Sequence, residues 1–259
     1  VTDLVLQPDV WLWLPMVAFA AGFIDAIAGG GGLLTVPALL TAGLPPHLAL
    51  GTNKLSSTFG ASTASWAFFK KRLFDPALWK VAALGTLLGA LFGTLTVDWL
   101  KAEWLEKLLP LAVLSAALYT LLMPKVEEGR RHLPQGQRLK TKQGLQGAVL
   151  GAYDGVFGPG TGAFWTVSTV ALYKLDLLHA SGVARTMNFI SNLTSLATFA
   201  LLGHIHWYLG LAMGSALMVG AYLGAHCAIR FGGSFIRPIF ITVVLVMASK
   251  LAWEAWWIN

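Results

Sequence analysis

The sequence predicts an all-α polytopic membrane protein built from two homologous halves, and three observations carry that prediction. Apolar residues make up 56% of the 259 positions and charged residues only 12%, about half the charged share of a soluble domain. Mean hydropathy is +0.67. Apolar runs recur along the chain at lengths that cross a bilayer of ~30 Å at ~1.5 Å per residue. Too few charges remain to cover a soluble surface. A single cysteine, Cys227, excludes an internal disulfide framework and a multi-cysteine metal site. The formal charge of +6 does not point to nucleic acid, because Lys and Arg sit in short clusters between the apolar runs, as in cytoplasmic loops.

Taken in order, the first segment, 11–28, runs into Gly29-Gly30-Gly31-Gly32 and is followed by a short apolar piece, 33–44. Full-length spans are expected at 47–69, 77–99 and 105–123. The stretch 124–143 is strongly polar and reads as the linker between a first membrane repeat, 1–123, and a second, 144–259. The second repeat opens with 144–157, breaks at Gly158-Pro159-Gly160-Thr161-Gly162, and resumes with a short piece, 162–173. Spans at 178–202, 208–229 and 238–258 complete it. Backbone that leaves the helix at membrane depth is tolerated only inside protein or beside a water-filled cavity, so the two breaks are the most informative features.

Basic residues set the expected orientation. Lys70, Lys71 and Arg72 form one cluster, Lys125, Arg130, Arg131, Arg138, Lys140 and Lys142 fill the linker, and Arg230 and Arg237 flank the last turn. Placing these inside and the acidic N-terminus (Asp3, Asp9) outside requires an odd number of crossings before Lys70. The expectation is five segments per half, the halves inverted, the linker cytoplasmic and both termini external. Four parallel segments per half is the alternative, and it mixes the basic loops.

The halves repeat one another. Gly22-Phe23-Ile24-Asp25 matches Gly151-Ala152-Tyr153-Asp154 at an offset of 129, and Ala49 to Lys54 matches Ala180 to Arg185 at 131. Asp and Lys/Arg are scarce here, so their recurrence in order carries the match. Gly85, Gly89 and Gly93, and likewise Gly220 and Gly224, recur every fourth residue and predict close helix contact rather than a site.

Ionisable residues within apolar segments cost at least ~2–3 kcal/mol each at the helix centre and so mark function by default. The repeat supplies Asp25 and Lys54 from one half, Asp154 and Arg185 from the other. Two cations facing an anion is the functional reading, with Asn53, Asn188 and Asn192 as donors and the backbone of Gly31, Gly32, Gly160 and Gly162 at the half-helix starts. Asp25 and Asp154 are either coupling groups or structural partners that pair a cation or cap free N–H groups. Asn188 and Asn192, four apart, share a helix face. His204 and His206, two apart, do not, and no carboxylate neighbours them in sequence to complete a metal set. Trp99, Trp104, Trp207, Trp253, Trp256 and Trp257 fall at span ends as an aromatic belt, and Lys250 and Glu254 can pair there. The glycine tetrad lacks the Lys-Ser/Thr of a phosphate loop.

The run from Gly22 to Leu40, with Ala49-Leu50-Gly51-Thr52-Asn53-Lys54-Leu55 and Gly151 to Gly160, closely resembles the TauE/SafE family of sulfite exporters over essentially the whole chain. The resemblance implies secondary transport of sulfur-containing anions such as sulfite or organosulfonates across a prokaryotic cytoplasmic (inner) membrane, without catalysis. Arg185 standing where Lys54 stands makes the expected site imperfectly symmetric. The expected partners are a small anion and the lipid bilayer, with homo-oligomerisation open; no nucleic acid, cofactor or metal is expected. Competing readings are a cation transporter using the aspartates, an intramembrane enzyme, or a scaffold.

Overall fold

The computed structural model describes residues 7–105, 107–108, 111, 136–232 and 242. Within them lie α1 (Val10–Ala28), α2 (Gly32–Thr41), α3 (Pro46–Lys70), α4 (Pro76–Trp99), α5 (Gln137–Val156), α6 (Thr161–Tyr173), α7 (Leu177–Leu202) and α8 (Trp207–Phe231). The expected spans 105–123 and 238–258 fall almost wholly outside the described residues, as do Lys125, Arg130, Arg131, Arg237, Lys250, Glu254 and the last three tryptophans.

Helix ends follow local chemistry. Pro46 and Pro76 open α3 and α4, where a missing N–H costs nothing. Asp75 accepts from Ala77 N at 2.9 Å, and Asp176 caps α7 by accepting from His179 N at 3.0 Å. Gly29 closes α1 and Gly203 closes α7 in the left-handed conformation, at φ 84° and 75°. One boundary differs from expectation: α5 begins at Gln137, inside the polar stretch. Arg138, Lys140 and Lys142 are polar but good helix formers, and Gln143 is buried there, its Nε2 donating to Leu78 O at 3.0 Å.

Three helices, α1, α4 and α8, are long and apolar enough to cross a membrane. Their outer faces expose Leu12, Met16, Leu88, Phe92, Val219 and Tyr222, the pattern of a protein turned toward lipid. Trp99, Trp104 and Trp207 are exposed near helix ends. α3 and α7 run ~37–39 Å at 1.5 Å per residue, but they carry the site's polar residues and are walled in by the others.

Helix directions emerge from the contacts. Gly22 of α1 meets Leu217 of α8, while Gly220 and Gly224 meet Phe19 and Phe23, so these helices run parallel. Gly85, Gly89 and Gly93 of α4 meet Gly144, Ala148 and Ala152 of α5, again in parallel. α3 and α7 are antiparallel: Ser65 and Thr186 share a hydrogen bond of 2.9 Å near one end, and Leu55 packs with Leu196 near the other. The short helices double back. Leu39 and Leu44 return to Val10 and Leu14 at the start of α1, and Tyr173 returns to Gln146 of α5, donating to its Oε1 at 2.9 Å. The expected four-residue glycine rows thus serve helix contact. A third row, Gly147, Gly151 and Gly155, answers the α4 row against Ala82, Thr86 and Ala90; its spacing was visible in the sequence.

Candidate functional site

The two glycine breaks meet each other. Ala163 N, at the start of α6, donates to Gly29 O at 3.1 Å. A side chain on Gly29 would strike the backbone of Gly162 and Ala163, and one on Gly32 would press on Pro159 at 3.2 Å. Gly158 and Gly160 hold positive φ of 88° and 81°, so each favours glycine. Gly31 is different: its φ of −56° is helical, and what excludes a side chain there is the Asp25 Cβ, 2.7 Å from where a Cβ would stand.

The four charges singled out in the sequence converge here, and they pair crosswise: Asp25 with Arg185 and Lys54 with Asp154. Lys54 Nζ lies 3.0 Å from Asp154 Oδ1 and donates to Asp154 O at 2.5 Å. Arg185 Nη1 donates to Asp25 O and lies 3.9 Å from Asp25 Oδ2, and Arg185 Nη2 donates to Thr166 Oγ1 at 3.3 Å. Lys54, Asp154 and Arg185 are fully buried. Glycine makes both pairings sterically feasible: the absent Cβ of Gly158 would stand 3.4 Å from Lys54 Nζ, and that of Gly162 3.1 Å from Arg185 Nη1. Among the described residues, Asp154 Oδ2 and Arg185 Nε are buried without a hydrogen-bond partner. Groups of this kind are expensive unless something else meets them.

Between the pairs lies a small cavity with room for about one water, roughly 10 Å³. Asp25, Gly29, Gly32, Asn53, Ser57, Asp154, Gly158, Gly160, Gly162, Asn188 and Asn192 line it. Asn53 is oriented by Thr35, whose hydroxyl donates to Oδ1 at 2.5 Å. Asn192 Nδ2 donates to Asn188 O at 2.7 Å and Oδ1 at 3.1 Å, so the two asparagines do share a face. These acceptor assignments leave Asn53 Nδ2 and Asn188 Nδ2 as donors beside the cavity. Gly31 faces Asp25 rather than the cavity: its N–H donates to Asp25 Oδ1 at 3.0 Å. Asp25 therefore already occupies the positive end of α2 that the sequence reading offered to a ligand. Sequence reasoning missed Thr35 and Thr166, which orient Asn53 and Arg185; one threonine of several in a short apolar helix carries no signal of such a task.

The surroundings differ toward the two ends. Toward Lys70, a mostly apolar groove of about 860 Å³ runs between α3, α4 and α7, lined by Trp66, Phe69, Phe74, Phe189 and Ile190 with Ser62, Thr63, Ser65 and Thr186. At the opposite end Leu50, Leu55, Val97, Phe199 and Ile205 pack into an apolar cluster. Over that cluster, His204 Nε2 stands 2.9 Å from Asp98 Oδ1, with the His47 ring 5.3 Å away. Asp98, distant in sequence, arrives beside His204 with the end of α4. Among the described residues no group of three His, Cys, Asp or Glu could hold a metal.

The family model for the sulfite exporter TauE/SafE matches residues 14–251. A protein of Haemophilus influenzae named "Probable membrane transporter protein" is 40% identical over 97% of this chain and 98% of its own length. The "Probable membrane transporter protein YfcA" of Escherichia coli K12 is 38% identical, over 92% of this chain and 88% of its own. The "Probable membrane transporter protein ORF9" of a Sinorhizobium species is 35% identical, over 92% and 91%. No solved structure matches the chain.

Proposed function

The chain belongs to the sulfite exporter TauE/SafE family of membrane transporters, and on that premise we propose that it exports small sulfur-containing anions, such as sulfite or organosulfonates, across a prokaryotic cytoplasmic membrane. The observation that carries the reading is a cavity lined by Asn53, Asn188, Asn192 and both aspartates, each aspartate paired with a buried cation, where the two glycine breaks meet. Amide and ammonium donors on fixed helices suit an oxyanion, and half-helix breaks at depth are where secondary transporters bind substrate. Lys54 and Arg185 supply charge, Asn53, Asn188 and Asn192 direct hydrogen bonds, and the glycines admit close approach.

Two inverted halves exchanging access around this centre complete the reading. The antiparallel run of α3 against α7 supports it. By the distribution of Lys and Arg, the Lys70 side is cytoplasmic. A cation substrate is disfavoured because each aspartate already meets a cation. The test is a thermal-shift screen of purified protein with sulfite, sulfate, thiosulfate and methanesulfonate, followed by counterflow in proteoliposomes. At least one sulfur oxyanion should raise the melting temperature and exchange across the membrane. Failure of all four in both assays overturns the reading.

A further inference from the structure

Resting on that anion reading, we infer that the centre takes up about one proton with each monoanion, and that Asp154 is the group that accepts it. The charge count leads there. Lys54 and Arg185 bring two positive charges, and Asp25 and Asp154 two negative, so the cluster is neutral before any substrate arrives. An anion added to a neutral cluster in a cavity the size of a water would leave an uncompensated charge in a dry interior, the costliest arrangement available. Removing one carboxylate charge at the moment of binding restores the balance.

Geometry selects Asp154. Its Oδ1 and carbonyl oxygen take two of the three ammonium hydrogens of Lys54, so an oxyanion beside Lys54 must displace that carboxylate. Its Oδ2 is buried and accepts no hydrogen bond among the described residues. Asp25, by contrast, keeps its Oδ1 on the Gly31 N–H at 3.0 Å and is not the carboxylate that an oxyanion beside Lys54 displaces. The charged groups around Asp154 are Lys54 from α3, Asp25 across the cavity from α1, and Arg185 from α7. α4 brings the Thr94 hydroxyl and α6 the Thr161 and Thr166 hydroxyls, while Tyr153 on the same helix donates to Pro159 O at 2.7 Å.

The step balances simply. A proton from the open side converts the Asp154 carboxylate to a neutral acid. The Lys54 ammonium, still charged, exchanges Asp154 Oδ1 for an oxygen of the anion, and release on the far side returns the proton. The loaded centre is neutral, so the membrane potential neither drives nor opposes it. Direction then follows the anion and pH gradients, and an anion accumulating inside leaves with a proton.

The test uses the purified full chain and methanesulfonate, a monoanion that does not titrate near neutrality. Its affinity is measured by calorimetry across pH, and proton uptake in weakly buffered solution. Wild type should take up about one proton per anion, and affinity should fall about tenfold per pH unit once the carboxylate is ionised. Asp154→Asn, neutral at every pH, should bind with the low-pH affinity throughout and take up no proton. Asp25→Asn should still take one up. Binding by wild type without proton uptake overturns the inference, and so does uptake that survives in Asp154→Asn or vanishes only in Asp25→Asn. Should Asp154→Asn fail to fold with Lys54 uncompensated, wild type and Asp25→Asn decide together: uptake that survives in Asp25→Asn upholds the assignment, and uptake that vanishes there overturns it. If neither methanesulfonate nor sulfite binds at any pH, the anion reading falls and this inference with it.

Discussion

Lys54 and Asp154 stand 100 residues apart in the chain and 3.0 Å apart in space, each half of the protein supplying one member of the pair. Arg185 and Asp25 repeat the exchange over 160 residues. Neither half is electrically complete, so the centre exists only when the halves are assembled. Breaking a buried pair at one partner leaves a naked charge, whereas removing both leaves a gap that packing can tolerate.

Lys54→Met should therefore destabilise the protein by about 3–5 kcal/mol. Adding Asp154→Asn should recover much of that loss, and adding Asp25→Asn should not. Arg185→Met should be rescued by Asp25→Asn alone. Melting temperatures in detergent for the singles and doubles form the cycle, and rescue within a half rather than across halves would contradict the crossed pairing.

Gly220→Ala and Gly203→Ala should differ sharply. A Cβ at Gly220 would drive into the Phe19 carbonyl and part α1 from α8, while one at Gly203 meets open space. The second change costs only the left-handed conformation, about 1–2 kcal/mol. Folded yield and melting temperature should show Gly220→Ala lost or far less stable; comparable behaviour of the two would mean that α1 and α8 do not touch there.

Gly158→Ala should damage binding more than folding. Its added Cβ would stand 3.4 Å from Lys54 Nζ and 3.8 Å from Asn53 Nδ2, at a φ of 88°. Anion affinity should fall at least about tenfold, equivalent to ~1.4 kcal/mol, in protein that still elutes as a single species. Unchanged affinity would place the anion elsewhere.

The pair His204 and Asp98 should matter little to stability. Both side chains are about a third exposed, at 32% and 34%, and such pairs contribute about 0–1 kcal/mol. His204→Gln should melt within a few degrees of wild type. A loss comparable to that of Lys54→Met would show that the pair is shielded from water in the membrane.

Orientation can be read by labelling single cysteines in a Cys227→Ser background. Arg138 at the start of α5 and Lys71 after α3 are exposed and should react only from the cytoplasmic side, Ala102 only from outside. Reaction of Arg138→Cys and Ala102→Cys from the same side would overturn the proposed inverted arrangement.

Much of this was legible in the chain. The segments 47–69, 77–99, 178–202 and 208–229 anticipate α3, α4, α7 and α8 to within a residue or two, because hydropathy and Pro or Gly at the ends are local signals. The polar start of α5 was not, since its lysines and arginine read as loop although they favour helix. Asp25, Asp154, Lys54 and Arg185 were each conspicuous as charges in apolar surroundings, yet Thr166, which meets Arg185, was not.

By itself the sequence determined the membrane class, the places where the helices break, and which four charges had to be accommodated. All of these depend on residue type and on spacing within a few turns. Only the tertiary structure decided that each cation answers the aspartate of the other half, that Asp25 fills the start of α2, and that Gly158 and Gly160 border the cavity while Gly31 faces Asp25. Those outcomes turn on α3 lying antiparallel to α7 and on two glycine breaks pressed together. No local signal encodes a contact between residues 100 or more positions apart.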